Sequence, residues 1–322
     1  MLRSLVRRAA ISSASPSANP HTLGPFQVFD RNAKRIQKNR AALKEGSRTV
    51  DYVREEVADR LMERFLDIKR TFGTILDLGS GSGHFTKLLE PEKAQKSVMM
   101  DSIRRWVAPA RNVTHLYLAP VQVERIHADE ENLLQTVEPN SQEAIVSCLS
   151  LHWVNDLPGT LIQIREALQP DGLFLGAMFG GDTLFELRTA LQLAEIEREG
   201  GLSPHISPMT QTRDISNLMG RAGFSLLTVD VDEVKVAYPD MWALMDDLRA
   251  MGEGNALLGH RRALRRDTLA AASAIYPALH GNEDGSVPAT FQIIYMIGWK
   301  PAPSQPQPLE RGTGKVPLGE VL

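Results

Sequence analysis

Residues 75–85 read ILDLGSGSGHF and join a predicted strand to a glycine-rich turn and the start of a helix. The apolar run at 74–78 has the length of a strand. Side chains at Gly79, Gly81 and Gly83 would fill the space that a ligand needs against bare backbone and a helix N-terminus. The stretch therefore predicts a ligand cradle at the carboxyl end of the first strand.

Two acidic residues make this cradle more specific. Asp77 lies at the end of the predicted first strand, and Asp101 ends a second apolar run at 97–100. The spacing between Asp77 and Asp101 is close to the distance of roughly 20 residues between the glycines and the ribose-binding acid in nucleotide-binding βαβ units. The pair favours a nucleotide-like ligand.

Further strands are predicted near 121–127, 144–147 and 173–179, and helical segments alternate with them. This alternation predicts a parallel sheet with helices on both faces. Ligands of such sheets lie outside the carboxyl ends of the strands. Four of the predicted ends carry a polar side chain: Asp77, Asp101, Asp129 and Ser147.

The turn departs from two common phosphate-binding patterns. His84 stands where the third glycine of the dinucleotide fingerprint would fall, and no Gly-Lys-Ser/Thr sequence follows the turn. Asp77 would repel a pyrophosphate, but it suits a ligand that carries a cationic amino group.

These residues resemble the class I S-adenosylmethionine-dependent methyltransferases. The first motif of that family matches LDLGSGSG at 76–83, and Asp101 matches its ribose acid. Asp129 and Glu130 match the position that contacts the adenine edge, and LQPDG at 168–172 matches the turn before the fifth strand. The resemblance implies S-adenosylmethionine as cofactor. It also implies a Rossmann-like α/β fold, with a seven-stranded, mostly parallel sheet, helices on both faces and a helical insertion near the C-terminal strands.

Other segments narrow the resemblance. SLHWVNDL at 150–157 is similar to malonyl-acyl-carrier-protein methyltransferases. Further segments resemble a family of mitochondrial assembly factors of respiratory complex I, which share this fold and are described as protein-arginine hydroxylases. In this sequence the segments are 29–32, 177–188, 203–208, 249–253 and 282–290. That family implies a matrix protein, peripheral to the inner membrane, that acts on a complex I subunit or assembly intermediate.

Three side chains are candidate catalytic residues. His152 follows the fourth strand, where it could orient a substrate or take a proton; the alternative is a hydrogen-bonded structural histidine. Asp182 follows paired glycines after the fifth strand, and it would serve equally well as a helix cap. His205 lies in a proline-bracketed loop that either lines a pocket or holds the histidine in a buried turn.

Composition limits the possible functions. The net charge of −3 argues against broad nucleic-acid binding, and no apolar run approaches the ~20 residues of a membrane span. Cys148 is the only cysteine, which excludes a disulfide framework and a thiolate zinc cluster. His127 and Asp129 have H-x-D spacing, but no second histidine is identifiable, so no metal site is predicted.

The chain divides into three predicted parts. Residues 1–28 contain arginines and no acidic residue, which favours a mitochondrial transit peptide over a disordered tail. Residues 29–300 form the predicted methyltransferase-like domain, with a helical cap at about 240–282. Residues 301–322 are rich in proline and are predicted to be a disordered tail.

Two predicted helices precede the first strand. The basic helix at 29–43 is either a solvated helix or a lid that brings cations to the ligand site, and the amphipathic helix at 50–68 is expected only to pack on the sheet. Three functions stay open: modification of a complex I subunit, with arginine hydroxylation implied by the resemblance; methylation of a small acid or acyl carrier; and a non-catalytic assembly scaffold.

Overall fold

The computed structural model describes residues 27–44, 47–103, 120–259 and 263–306. Its centre is a seven-stranded sheet with the order β3-β2-β1-β4-β5-β7-β6. The strands are β1 Phe72–Leu78, β2 Ala94–Asp101, β3 Gln122–His127, β4 Gln142–Cys148, β5 Leu168–Phe179, β6 Ser225–Tyr238 and β7 Val287–Trp299. Strands β1 to β5 pair in parallel, and β7 runs antiparallel to both β5 and β6.

The strand order confirms the predicted fold class. The chain proceeds outward from β1 to β3 and then crosses back to β4 on the other side of β1. A crevice opens at such a reversal, because the connections after the two central strands leave in opposite directions. The carboxyl ends of β1 and β4 therefore meet where the sequence predicts the ligand.

Helices cover both faces of the sheet. Those in the described part of the chain are α1 Arg31–Leu43, α2 Tyr52–Leu66, α3 Leu157–Ala167, α4 Phe185–Glu199, α5 Thr212–Ala222, α6 Met241–Met251 and α7 Arg266–His280. Residues of α2, α4, α6 and α7 belong to one buried cluster, and residues of α3 and α5 to a second. The two clusters are the two cores of a three-layer α/β domain.

Helix α2 illustrates how the sequence pattern produces these layers. Val53, Val57, Leu61 and Phe65 recur at intervals of four and are all buried. This spacing places them on one helical face, which packs against the sheet. Each such side chain contributes about 1.5–3 kcal/mol when it leaves water.

The segment after the glycine turn differs from expectation. The sequence predicts a helix start at 85–89, but only a short 3₁₀ turn forms, Thr86–Leu88. Leu89 then adopts extended dihedral angles, with φ −66° and ψ 132°. Glu90 precedes Pro91, and a residue before proline disfavours the α conformation. The chain consequently turns early into β2.

The predicted ends and cap are placed as follows. Residues 1–26 of the predicted transit peptide and 307–322 of the predicted tail lie outside the described residues. Helices α6 and α7 fall within the range 240–282 predicted for the cap, between β6 and β7. Of the helices in the described ranges, none combines the length and apolarity needed to cross a bilayer.

Candidate functional site

The glycine turn forms the floor of a crevice at the end of β1. Gly79, Gly81 and Gly83 all have positive φ, at 69°, 55° and 83°. A Cβ atom at Gly79 would lie 2.1 Å from Ser150 Oγ, whereas a Cβ at Gly81 would meet nothing within 4 Å. Gly79 thus lets the loop after β4 approach the turn, and Gly81 faces open space that a ligand can enter.

Asp77 lies buried beneath this turn and keeps one oxygen available. Its Oδ2 accepts a hydrogen bond from Thr86 Oγ1 at 2.7 Å, while its Oδ1 has no partner among the described residues. Burial, reinforced by the nearby Asp101 carboxylate, raises the pKa of Asp77 from 3.8 to about 7. A cationic group of a ligand beside Oδ1 would satisfy this oxygen and favour the ionised acid.

Asp101 ties the end of β2 to the glycine turn. Its Oδ2 accepts the N–H of Gly81 at 2.8 Å, and its Oδ1 accepts the N–H of Ile103 at 2.7 Å. Burial, with a smaller effect from Glu130, raises its pKa. Each carboxylate oxygen can accept a further bond, so Asp101 is suited to bind neighbouring hydroxyl groups.

The acids after β3 are held by Arg31 of α1. Arg31 Nη2 donates to Asp129 Oδ1 at 2.5 Å and to Glu130 Oε2 at 2.8 Å. Glu130 is buried, and its Oε1 accepts a hydrogen bond from Ser150 Oγ at 2.9 Å. Burial opposes ionisation of Glu130, but Arg31 outweighs it and the pKa is lowered. Glu130 is therefore ionised, and it lies beside Asp101.

Helix α1 borders the crevice and is attached to the segment after α6. Lys34 is buried, and its Nζ donates to the carbonyl oxygens of Gly254 at 2.6 Å and Gly252 at 3.2 Å. The same ammonium lies 3.3 Å from the centre of the Trp153 ring, which is a cation–π distance. Burial lowers the pKa of Lys34 to about 7. Lys38, one turn further along α1, lines the crevice itself.

Three recesses surround α1. The first is the crevice, about 30 Å³ in volume, which Gly79–Ser82, Asp101, Lys38, Arg54 and Met251 line. The second, which we call the acid recess, has about 240 Å³ and is lined by α1, Ser102, Ile103, Asp129, Glu130 and Trp153. The third, which we call the large cavity, has about 360 Å³ and lies among α1, α4 and α6. Trp153 borders both larger recesses.

Glu253 lines the large cavity and is hydrogen-bonded to Arg54, which lines the crevice. Its Oε1 accepts a hydrogen bond from Arg54 Nη2 at 2.8 Å, and its Oε2 accepts one from Trp153 Nε1 at 2.7 Å. Burial alone would raise the pKa of Glu253, but neighbouring donors and cations hold it well below its usual range. An ionised carboxylate therefore lies at the border between the two spaces.

Comparison with known proteins agrees with this arrangement. The methyltransferase domain family matches residues 28–229. The chain is also 50% identical to the human protein "Arginine-hydroxylase NDUFAF5, mitochondrial", over 98% of this chain and 89% of that one. The chain belongs to the arginine-hydroxylase NDUFAF5 family. The match confirms the family that the motifs predict.

More distant relatives place the NDUFAF5 family among the methyltransferases. A malonyl-[acyl-carrier protein] O-methyltransferase from Methylovorus sp. (strain MP688) is 31% identical, over 77% of this chain and 82% of that protein. The crystal structure of a candidate methyltransferase from Bacillus halodurans C-125 superposes with a TM-score of 0.53 at 16% identity, covering 76% of this chain and 99% of that one. The structural likeness shows the shared fold.

In this NDUFAF5-family protein the candidate catalytic residues do not lie together. His152 is buried between Phe179 and Trp153, at ring-centre distances of 4.7 and 5.4 Å, and burial lowers its pKa to about 4. His205 lines the large cavity, and its Nε2 lies 2.7 Å from Glu195 Oε1. His205 thus lines the large cavity, whereas His152 lies behind its Phe179 and Trp153 walls, with Nε2 3.6 Å from Glu253 Oε2.

Two other predicted residues have mainly structural contacts. Asp182 is exposed and accepts a hydrogen bond from Gln292 Nε2 at 3.0 Å; it lines none of the three recesses, although the adjacent Thr183 lines the large cavity. It is not the side-chain cap of α4, which begins after Leu184 in a left-handed conformation. Ser147 Oγ donates to the carbonyl oxygen of Leu78 at 2.8 Å, and so joins β4 to β1 beneath the crevice.

Some site residues were not identified from the sequence. Arg54 belongs to α2, which the sequence predicts only as a packing helix, yet it lines the crevice and binds Glu253. Gln37 lines the large cavity, and Ser150 closes the crevice against Gly79. Single polar residues of these kinds carry no recognisable spacing, so only the fold brings them to the site.

Proposed function

We propose that this protein binds S-adenosylmethionine beneath α1 and modifies an arginine side chain of a respiratory complex I subunit in the mitochondrial matrix. The observation that carries the cofactor assignment is the unpartnered Oδ1 of buried Asp77, beside Asp101 and the open side of Gly81. S-adenosylmethionine presents a cationic amino group and a ribose diol, which these two acids are suited to bind.

The residues present fit this cofactor in their chemistry. Asp77 would hold the amino group, Asp101 the ribose hydroxyls, and Asp129 with Glu130 the adenine edge in the acid recess. When bound, the cofactor supplies a sulfonium-linked methyl group. The cofactor would occupy the crevice, about 30 Å³, together with the acid recess, about 240 Å³, because its adenine edge is assigned to the acid recess.

The reaction and its setting are inferred from the relatives. Proteins named mitochondrial arginine-hydroxylases match this chain at 44–50% identity, over at least 91% of its length. Hydroxylation replaces a hydrogen of the arginine side chain by a hydroxyl group and needs an oxidant that S-adenosylmethionine does not supply. With dioxygen as that oxidant, one oxygen atom enters the side chain, and the other leaves as water with two electrons and two protons from a reductant. A role in complex I assembly and a position peripheral to the inner membrane rest on the family resemblance of the motifs.

Two other functions have a specific observation in their favour. The malonyl-acyl-carrier relatives favour methyl transfer to a small acid or acyl carrier. The candidate catalytic side chains do not form one cluster, which favours a scaffold that binds the cofactor without turnover. Mass spectrometry of complex I subunits from cells lacking the protein tests the first function. Loss of one oxygen mass from an arginine supports hydroxylation, and loss of one methylene mass supports methylation of a subunit. An unchanged spectrum leaves the other two functions, which methyl incorporation into a small acid or acyl carrier in vitro separates.

Variants connect that result to the site. Asp77→Ala removes the acid expected to bind the amino group, and Gly81→Val fills the open side of the turn. We expect neither variant to bind S-adenosylmethionine in calorimetry or to restore the modification in cells. Asp59→Ala, at an exposed position on α2, is the matched control. Restored modification by a folded Asp77→Ala variant would contradict the cofactor assignment.

A further inference from the structure

We infer that the large cavity is the acceptor site and that it takes the aliphatic stem and guanidinium group of an arginine in an extended protein segment. This inference rests on the proposed function, because that function supplies the arginine.

The position of the cavity is appropriate for an acceptor. It shares Trp153 with the acid recess, and it includes Gly252 and Glu253, which directly follow the Met251 that lines the crevice. On α1, Gln37 lines the cavity and its neighbour Lys38 lines the crevice. A ligand in the cavity is therefore adjacent to a ligand beneath α1.

The walls of the cavity suit a long aliphatic stem. Most are apolar side chains from four elements of the fold: Phe179, Leu187, Leu191, Met245, Leu248 and Phe291. A volume of about 360 Å³ exceeds that of one side chain, so the flanking backbone of the segment can also enter. Burial of methylene groups here contributes about 0.8 kcal/mol for each group.

The polar border of the cavity presents hydrogen-bond acceptors. Gln37 donates through Nε2 to the carbonyl oxygen of Asn255, but its buried Oε1 has no partner among the described residues. Glu253 accepts one hydrogen bond at each oxygen, from Arg54 and Trp153. His152 Nε2 lies 3.6 Å from Glu253 Oε2, and a carboxylate can accept about four bonds. A guanidinium group has five N–H donors and no acceptor, so it matches this border.

The same border disfavours the competing substrate class. A malonyl carboxylate has only acceptors, and it would face the unpartnered oxygen of Gln37 and the ionised carboxylate of Glu253. Two like charges at close range are unfavourable in a buried site. Two cations moderate this repulsion. Arg54 donates to Glu253 from outside the large cavity, and Arg249 lines the cavity but is 75% exposed and paired with Asp246.

A cavity-filling variant tests the location. Leu191 on α4 is 3% exposed and lines the cavity, whereas Leu193 on the same helix is 45% exposed. The probe is a short peptide with one arginine, titrated into the full-length protein with S-adenosylmethionine present. We expect Leu191→Trp to weaken peptide binding by about tenfold or more, and Leu193→Trp to leave it unchanged. Both variants should bind S-adenosylmethionine like the wild type.

A second pair of variants tests guanidinium recognition and introduces no larger side chain into the cavity. Gln37→Leu removes the unpartnered acceptor, and Asn39→Leu changes a half-buried amide on the same helix. The wild type should prefer the arginine peptide to its neutral citrulline counterpart by about tenfold, since bonds to charged groups are the stronger ones. Gln37→Leu should reduce that preference, and Asn39→Leu should keep it.

The outcomes separate this inference from the proposed function. Full peptide affinity in a folded Leu191→Trp variant would overturn the cavity as acceptor site, even if an arginine of complex I is still modified in cells. Equal affinity of the wild type for arginine and citrulline peptides would overturn guanidinium recognition. An unchanged mass spectrum of complex I in cells lacking the protein would instead refute the proposed function itself.

Discussion

Replacement of Asp77 by asparagine should make the protein more stable at neutral pH while it weakens cofactor binding. Asp77 is buried, one of its oxygens has no partner among the described residues, and its pKa is raised from 3.8 to about 7. The ionised acid is thus a cost to the folded state that only a cationic ligand would offset. Asparagine keeps the shape and an oxygen that can accept the bond from Thr86.

The size of the effect follows from the pKa. At about 1.4 kcal/mol for each pKa unit, full ionisation of Asp77 costs about 4 kcal/mol. Between pH 3.8 and about 7 the native state holds a proton that the unfolded state has lost. The stability that Asp77 contributes is therefore fully present below pH 3.8 and is lost as the pH rises through about 7. From pH 5 to pH 8 this loss amounts to about 3 kcal/mol.

Urea unfolding at pH 5 and pH 8, followed by circular dichroism, measures the effect. The stability advantage of Asp77→Asn over the wild type should grow by about 3 kcal/mol between these pH values. Asp59→Asn, at an exposed position on α2, controls for the general loss of a charge and should show no such growth. An advantage that is equal at both pH values, or an Asp77→Asn protein less stable than the wild type at pH 8, would refute the reasoning.

Three further predictions concern α1 and the glycine turn. Arg31→Met leaves the buried Glu130 without its cation and should lower the free energy of unfolding by about 2–3 kcal/mol. The control Arg40→Met, at an exposed position, should change the free energy of unfolding by less than about 0.5 kcal/mol. Lys34→Met should remove a rise in stability of about 2 kcal/mol between pH 7 and pH 9. The reason is that the native state holds fewer protons than the unfolded state between its pKa of about 7 and 10.5. Gly79→Ala should cost about 3 kcal/mol, from its clash and positive φ, and Gly81→Ala only about 1 kcal/mol, from φ alone. Urea titration of each variant against the wild type checks all three, and equal losses in the two glycine variants would contradict the last.

The sheet could be predicted because its signals are local. The alternation of apolar runs with amphipathic segments indicated the parallel strands. The glycine turn and Asp101 were identifiable because their spacing follows the length of one βα unit. The helix expected at 85–89 was wrong, since the effect of Pro91 on the preceding residue outweighed the apolar pattern.

The contacts across the site could not be predicted in this way. Arg54 and Glu253 are distant in the sequence, and Trp153 lies between them along the chain, yet the three side chains join through one carboxylate. Nothing in the local pattern distinguishes Arg54 from the other arginines of α2. The Arg54–Glu253 pair depends on how α2 and the end of α6 pack over the sheet, and helical periodicity does not predict that packing.

The position of α1 links the two ligand spaces. Its adjacent residues Gln37 and Lys38 line the large cavity and the crevice respectively, and Lys34 attaches the helix to the carbonyl groups of Gly252 and Gly254. A displacement of α1 would therefore change the crevice and the wall of the large cavity together, because one rigid helix borders both spaces.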